Sequence, residues 1–442
     1  MTTRLEKIFF YLLVFCLPFQ TRHIFYQWGN SFNEWTSIYL YGTDILILAV
    51  LIFWLIRDFE KLKNLARAKF SFKKPENILG LFLLVAAFSA VTANNQGLGF
   101  YGFFKLLEFS FLFLYIRYNF QNLFSFERFW QVFIASASLQ AGVAIWQFFK
   151  QKSLGLKFLA ESPLSPDIPG VAKIVVLGEK IVRAYGTVPH PNILAAILIL
   201  AIFGLAYLFI KQHQQLNIYR QISYGALGIL LLLALFLTFS RVVTLAGLAF
   251  FAWWLVSSWR QGLCWKAIFK TIFLLFIICC FLIIFFWSYF SARYEVSNFI
   301  EGQSIGLRIF YNQIALKLIK QNPFLGIGTG NFVWAINDYK LIGDFYNRLQ
   351  LWMYQPAHNI YLLVAAETGL FGLFAFLLFL FLTIRNAWRQ RKDLSVYCLL
   401  FIIYCLLIIG LFDHFLWDLQ QGQVLFWLFL GLLANSTYEY AS

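Results

Sequence analysis

Apolar residues along this chain do not alternate with polar ones in the short rhythms of a soluble domain. They run on for roughly the 20 residues that a helix needs to cross a bilayer, and the polar residues gather between the runs. About twelve runs recur, near residues 8–20, 37–56, 78–94, 98–116, 128–149, 192–211, 222–239, 242–258, 267–290, 358–383, 395–412 and 423–436. Each predicts a membrane helix. The first follows "MTTRLEK" as a signal peptide would, but "CLPFQTRHIF" offers no small-residue cleavage site, so it reads as a retained helix. The pattern predicts an all-α integral membrane protein, one polytopic domain over residues 1–442 with no room for a sizeable soluble domain.

Two connections between runs are long, residues 150–191 and residues 291–357, the second between helices 9 and 10. In the first, prolines punctuate an irregular half, and "AKIVVL" predicts a short strand. The second contains "SIGLRIFYNQIALKLIKQNP", a helix ended by Asn322-Pro323. Its mixed apolar and basic faces suit lying along a membrane surface with Lys317 and Lys320 snorkelling. "PFLGIGTGNF" follows no strand and lacks the lysine of a phosphate-cradling loop, so Gly326, Gly328 and Gly330 are read as turn residues.

Composition sharpens the picture. The chain is 61% hydrophobic and only 12% charged, far from a soluble average, and its mean hydropathy is +0.71. The net charge of +15 is concentrated where topology would place it. "RDFEKLKNLARAKFSFKK" and "RNAWRQRK" are basic, while "NNQG" and the turns at Arg22, Arg241 and Asp413 carry almost no positive charge. The positive-inside rule then puts both termini in the cytoplasm and both long loops outside. The charge is a topology signal, and a nucleic-acid partner is not expected. Cys16, Cys279, Cys280, Cys398 and Cys405 sit in apolar runs and Cys264 in a cytoplasmic loop, so no disulfide is expected.

On this topology the unusual polar residues meet at one mouth. Arg183 and His190-Pro191-Asn192 close the first long loop, Arg241 opens a helix at a tight turn, and Arg308 lies on the surface helix. His358-Asn359 enters the next membrane helix, Glu367 lies inside it, and Asp413 and His414 mark the last outside turn. Deeper, Asp44, Lys105 and Glu108 fall at comparable depths, which predicts a polar cavity opening outward. Three arginines without a compensating acidic cluster favour an anion, since guanidinium matches phosphate oxygens with two parallel hydrogen bonds. A lipid-linked phosphate or pyrophosphate could keep its tail in the bilayer and its head in the cavity, where a mostly neutral histidine would accept a proton. Carboxylates at metal-ligand spacing are missing from this set, so a metal-independent site without a cofactor is expected. Each residue also has a plainer role available. An arginine can anchor a helix end at the interface, His190 and Asn359 can serve helix starts, and Glu367 can bond to a neighbouring helix.

Four segments, in this order, resemble a known family: "RAYGTVPHPNILAAIL", "LTFSRVVTLAGL", "SIGLRIFYNQIALKLIKQNPFLGIGTGNF" and "PAHNIYLLVAAETGLFG". They look like the bacterial O-antigen ligase and polymerase superfamily across residues 183–372. The resemblance implies a GT-C-like glycosyltransferase of the bacterial cytoplasmic (inner) membrane. It would move a glycan from an undecaprenyl-pyrophosphate carrier to an acceptor hydroxyl, on lipid A-core or another surface acceptor, at the periplasmic face. It further implies that Arg183, Arg241 and Arg308 hold the pyrophosphate and that His358 activates the acceptor, with His190, Asn192, Asn359 and Glu367 in support. Ligase ranks first among the activities of the superfamily because the full set of ligase-like motifs favours it; polymerase ranks second, and protein O-oligosaccharyl transfer third because the chain ends soon after its last run. A transporter or flippase for a lipid-linked anion is the reading from a different class, and it predicts no dependence on a histidine.

Overall fold

Every one of the apolar runs carries a helix, and the polar connections supply the rest of the architecture. The computed structural model describes residues 2–29, 31–66, 70–212, 215–260, 265–293, 299–337 and 349–435. Before the first long loop stand α1 (Thr2–Cys16), α2 (Gly42–Ala66), α3 (Pro75–Val91), α4 (Gln96–Leu123) and α5 (Phe126–Lys150). Then come α6 (Pro191–Gln212), α7 (Ile218–Leu237), α8 (Arg241–Arg260), α9 (Trp265–Phe285) and the short α10 (Trp287–Ala292). The second loop holds α11 (Phe299–Gln321) and α12 (Phe332–Asn337). It is followed by α13 (Ile360–Trp388), α14 (Leu394–Ile409), the single turn α15 (Phe415–Asp418) and α16 (Gln420–Asn435). Short polar side chains set several of these starts: Asn95, Ser125, Asn359 and Asp393 each accept from the first free amides of α4, α5, α13 and α14.

Seven helices among the described residues, α4 to α9 and α13, are long and apolar enough to cross a membrane; α3 and α14 are apolar but shorter. The expected count of twelve therefore exceeds what length and composition support. The 15 residues of α1 rise only about 22 Å, short of the ~30 Å hydrocarbon core. The central member is α6, buried on almost every side, as its all-round apolar sequence "NILAAILILAIFGLAYLFI" requires. Around it α16 packs on α4, α13 on α3, and α14 on α8.

Two small antiparallel hairpins accompany the helices of this all-α membrane fold. The run placed at 37–56 begins as a strand: β1 (Arg22–Gln27) pairs with β2 (Ser37–Tyr41), Arg22 opposite Tyr41, and α2 starts only at Gly42. The alternating burial of "SIYLY" explains the error, because its outward-leaning Ile38 and Leu40 are apolar and hide a period of two inside an apolar run. In the first long loop the strand expected at "AKIVVL" is β3 (Lys173–Val176), and it has a partner, β4 (Glu179–Val182). The turn between them is Leu177-Gly178, both at positive φ. A leucine in that place conceals a hairpin that Asn-Gly would have announced.

The helix expected in the second loop is present and ends at Gln321, just before the expected Asn322-Pro323 stop. It buries Tyr311, Ile314, Ala315 and Leu318 in its packing on α13 and leaves Lys317 and Lys320 exposed. Residues 294–298 and 338–348 of the second loop, and Cys264, lie outside the described residues. The other five cysteines are free thiols, as expected.

Candidate functional site

The turn at residues 411–414, between α14 and α15, is where the separate elements meet. Arg308 Nη1 donates to the Phe412 carbonyl at 3.2 Å, Asn359 Nδ2 to the Leu411 carbonyl at 3.2 Å, and Asn192 Nδ2 to the Asp413 carboxylate. Helical spacing accounts for the first contact. Arg308 stands one turn before Tyr311 and two before Ala315, on the inward face of α11. Asn359 works mainly as a helix cap, its Oδ1 accepting from the amides of Tyr361 and Leu362.

The three arginines differ in what they touch. Arg183 is 5% exposed and commits its guanidinium to protein, Nε to the Thr238 carbonyl at 2.6 Å and Nη2 to Asn192 Oδ1 at 3.0 Å. Arg241 follows that same α7–α8 turn, where Phe239 sits at φ 47, and donates to the Arg293 carbonyl at 2.9 Å. Arg241 and Arg308 are only half-buried. Burial, with the like charges of Arg308 and Arg241 nearby, pulls Arg183 down to about 10, still positive at neutral pH. Like charges held this close in a protein are stabilised by an anion between them.

Three histidines lie around the same turn, each tied differently. His358 Nδ1 is 3.1 Å from the Pro356 carbonyl, which can only accept, so the ring proton sits on Nδ1 and the lone pair on Nε2. Tyr311 stacks on one side of this ring at 5.8 Å between centroids, and His414 meets it edge-on at 4.7 Å. Burial keeps His358 well below its ordinary value, and the charges of His414 and Arg308 add to that; it is neutral at pH 7. His190 is also pushed down by burial and by Arg183, to about 3, but its Nδ1 accepts from the Asn192 amide at 3.2 Å. Its lone pair is already engaged. His414 is the opposite case. Burial would lower it, but Asp418, whose Oδ1 is 2.8 Å from its Nδ1, and Asp413 raise it above the ordinary histidine value.

The acidic residues correct one expectation. Asp413 and Asp418 lie among the basic groups, and Asp413 is held below the usual carboxylate range despite its burial, by His414, His358, Arg308 and His190. Glu367 is buried within α13 and accepts from Trp417 Nε1 at 2.8 Å. Its neighbourhood is the glycine loop. α13 breaks at Gly369, φ 71 and ψ 179, and the loop pairs with the break: Ile327 N to Ala366 O at 3.0 Å, Gly328 N to Glu367 O at 3.0 Å, Leu370 N to Pro323 O at 2.7 Å. Gly326, Gly328 and Gly330 all have positive φ, the turn role expected of them. Deeper, Lys105 Nζ donates to Asp44 at 2.6 Å and to Glu108 at 2.7 Å, so the three groups predicted at one depth form one network.

Residues 226–377 match the O-antigen ligase family model. Over that stretch, about a third of the chain, the match supports the O-antigen ligase and polymerase superfamily that its motifs resemble. At family level this supports a glycosyl-transfer enzyme with many membrane helices, a lipid-linked glycan donor and a polysaccharide acceptor. The O-antigen ligase match contains Arg241, Arg308, His358 and Glu367; Arg183, His190 and Asn192 precede it, and Asp413, His414 and Asp418 follow it. No curated protein matches the chain. The sequence reading gave no role to Tyr311, Asp413, His414 or Asp418. Spacing held a signal for two of them, Asp418 four residues after His414 on one helical turn and Tyr311 three after Arg308.

Proposed function

We propose that the protein is an O-antigen ligase-like transferase that moves a glycan from an undecaprenyl-pyrophosphate carrier to an acceptor hydroxyl at the outer face of the membrane. The observation that carries this reading is the state of His358: neutral, its proton pinned on Nδ1 by Pro356, its Nε2 lone pair uncommitted by that bond, beside a cluster of arginines. Nε2 takes the proton of the acceptor hydroxyl as its oxygen attacks the anomeric carbon, and the bond from that carbon to the pyrophosphate oxygen breaks. A histidine this hard to protonate is a weak base at rest. It gains the proton only as the hydroxyl becomes acidic in the transition state, and Asp413 stands close enough to offset the imidazolium.

The leaving pyrophosphate carries the charge that Arg241 and Arg308 are placed to hold, without a metal ion. Arg183 and Asn192 are positioning residues in this scheme, since they hold the α7–α8 turn and Asp413 rather than facing outward. His190, with its lone pair on the Asn192 amide, orients the start of α6 and is not the base. Glu367 and Asn359 support the break and the start of α13.

Purified protein given carrier-linked oligosaccharide and candidate acceptors should form a new glycosidic bond, at a rate that a metal chelator leaves unchanged. His358→Ala should lower that rate by about 10²–10⁴-fold, the range for a general base, while still binding the carrier. Transfer by His358→Ala at the wild-type rate would remove His358 from the chemistry. A product extended on the carrier itself, rather than on a surface acceptor, would make the protein a polymerase. A protein that forms no bond but moves the carrier would be a transporter.

A further inference from the structure

A second cleft adjoins the histidine pair, and its chemistry is unlike that of the arginine cluster. It opens between β2, the first turns of α4, the glycine loop and α15, with Glu367 in its wall. Arg183, Arg241 and Arg308 are not among the described residues that line it; the groups that hold the histidines, Pro356 and Asp418, are. Trp35, Tyr39, Tyr101 and Trp417 contribute flat apolar surface, and Glu34, Glu367, Asp418, Gln420 and Gln423 contribute oxygens and amides. Lys105 also reaches the cleft, but its charge is matched by Asp44 and Glu108. With Lys105 matched by its two carboxylates and Glu34 by Arg22, the cleft offers a phosphate no unmatched cation among the described residues that line it.

Two orphaned atoms at its edge are more specific. Trp35 Nε1 leans towards Asp418, yet neither Nε1 nor Asp418 Oδ2 completes a hydrogen bond among the described residues, although both are buried. A buried donor and a buried acceptor side by side are satisfied together by a group that accepts from one and donates to the other. A hydroxyl does both. A doubly esterified pyrophosphate, fully ionised at neutral pH, cannot donate to Asp418, and an ammonium cannot accept from an indole. Aromatic walls with paired donors and acceptors at the rim suit a pyranose ring, whose C–H face packs on an aromatic ring while its hydroxyls bond in the ring plane. Asp418 joins this edge to the histidines, because its other oxygen holds His414, which meets His358.

We infer that the cleft lined by Trp35, Tyr101, Trp417 and Asp418 is a saccharide subsite, and that it receives the acceptor sugar rather than the donor's phosphate. The binding claim stands on the cleft alone; the assignment to the acceptor rests on the transferase reading above. The test separates the two. Wild-type protein in lipid nanodiscs is titrated with free glucose, galactose, N-acetylglucosamine and a heptose, with binding read by saturation-transfer NMR and no turnover required. At least one of these should bind, and Trp35→Phe, which keeps an aromatic ring in the wall but removes the indole N–H, should weaken it by roughly tenfold, equivalent to one lost hydrogen bond. Tyr219→Phe, at an exposed aromatic on α7 that does not line the cleft, serves as the control and should bind sugar as the wild type does. In the transfer assay Trp35→Phe should raise KM for the acceptor and leave KM for the carrier unchanged. Binding of none of the four sugars, binding indifferent to Trp35→Phe, or displacement of the sugar by inorganic pyrophosphate would overturn the subsite. A shift in the carrier's KM instead would overturn its assignment to the acceptor. Trp35-dependent sugar binding in a protein that forms no glycosidic bond would keep the subsite and defeat the transferase reading.

Discussion

Three arginines that look alike in the sequence have different surroundings, and substitutions should separate them. Arg308 reaches the 411–414 turn from a half-exposed position, so Arg308→Ala should raise KM for the carrier by about 10–100-fold, the worth of a charge-assisted hydrogen bond. Arg308→Lys should restore only part of that, because an ammonium lacks the two-pronged geometry. Arg183→Ala should instead lower thermal stability, by about 1–3 kcal/mol, since it strands the buried Thr238 carbonyl and Asn192. Steady-state kinetics and melting curves of the two variants, side by side, check the contrast; equal melting temperatures would place Arg183 in the binding site with Arg308. Sequence placed all of these residues at one mouth because helix ends and loops can be ordered from hydropathy alone. It could not see which atom of His190 or Arg183 was already bonded, since Asn192 and Thr238 reach them through loop geometry that leaves no periodic trace.

Elements were legible to the extent that their periodicity was pure. Runs such as α6 and α14 have one reading, while the hairpin of β1 and β2 was hidden by apolar residues on both its faces, and with it the approach of Trp35 to His414, 5.6 Å between ring centroids. The break in α13 was equally invisible, because a lone glycine inside an apolar run is common in membrane helices. Its conformation makes a sharp prediction. At Gly369, φ 71 with ψ 179 is a region that only glycine enters readily, and an added Cβ would fall on the Phe324 carbonyl. Gly369→Ala should cost at least about 1–3 kcal/mol in a melting or proteolysis assay. Gly306→Ala, in open space on α11, should be neutral or slightly stabilising and is the matched control. Equal stability of the two variants would mean that α13 is continuous.

At the scale of the whole molecule, the two ends of the bundle carry different chemistry. One end gathers the arginines, histidines and the saccharide cleft; the other holds ion pairs such as Arg57 with Glu6, Arg117 with Glu76 and Lys211 with Glu127. We expect the first end to face outside. In a cysteine-free background, cysteines placed at Leu177 and Leu351 should react with a membrane-impermeant maleimide added from outside. Those at Phe72 and Lys392 should not, all four being exposed positions. The reverse pattern would put the site in the cytoplasm. The 411–414 turn adds a consequence for biogenesis. Its carbonyls and carboxylate receive side chains from α11, from the start of α13 and from α6, so the mouth they form stays open until the stretch after α14 has left the ribosome and docked. A nascent chain halted before Leu411 would display its arginines and His358 unassembled, and the enzyme would be incapable of drawing on the cell's carrier-linked glycan while it was still being made.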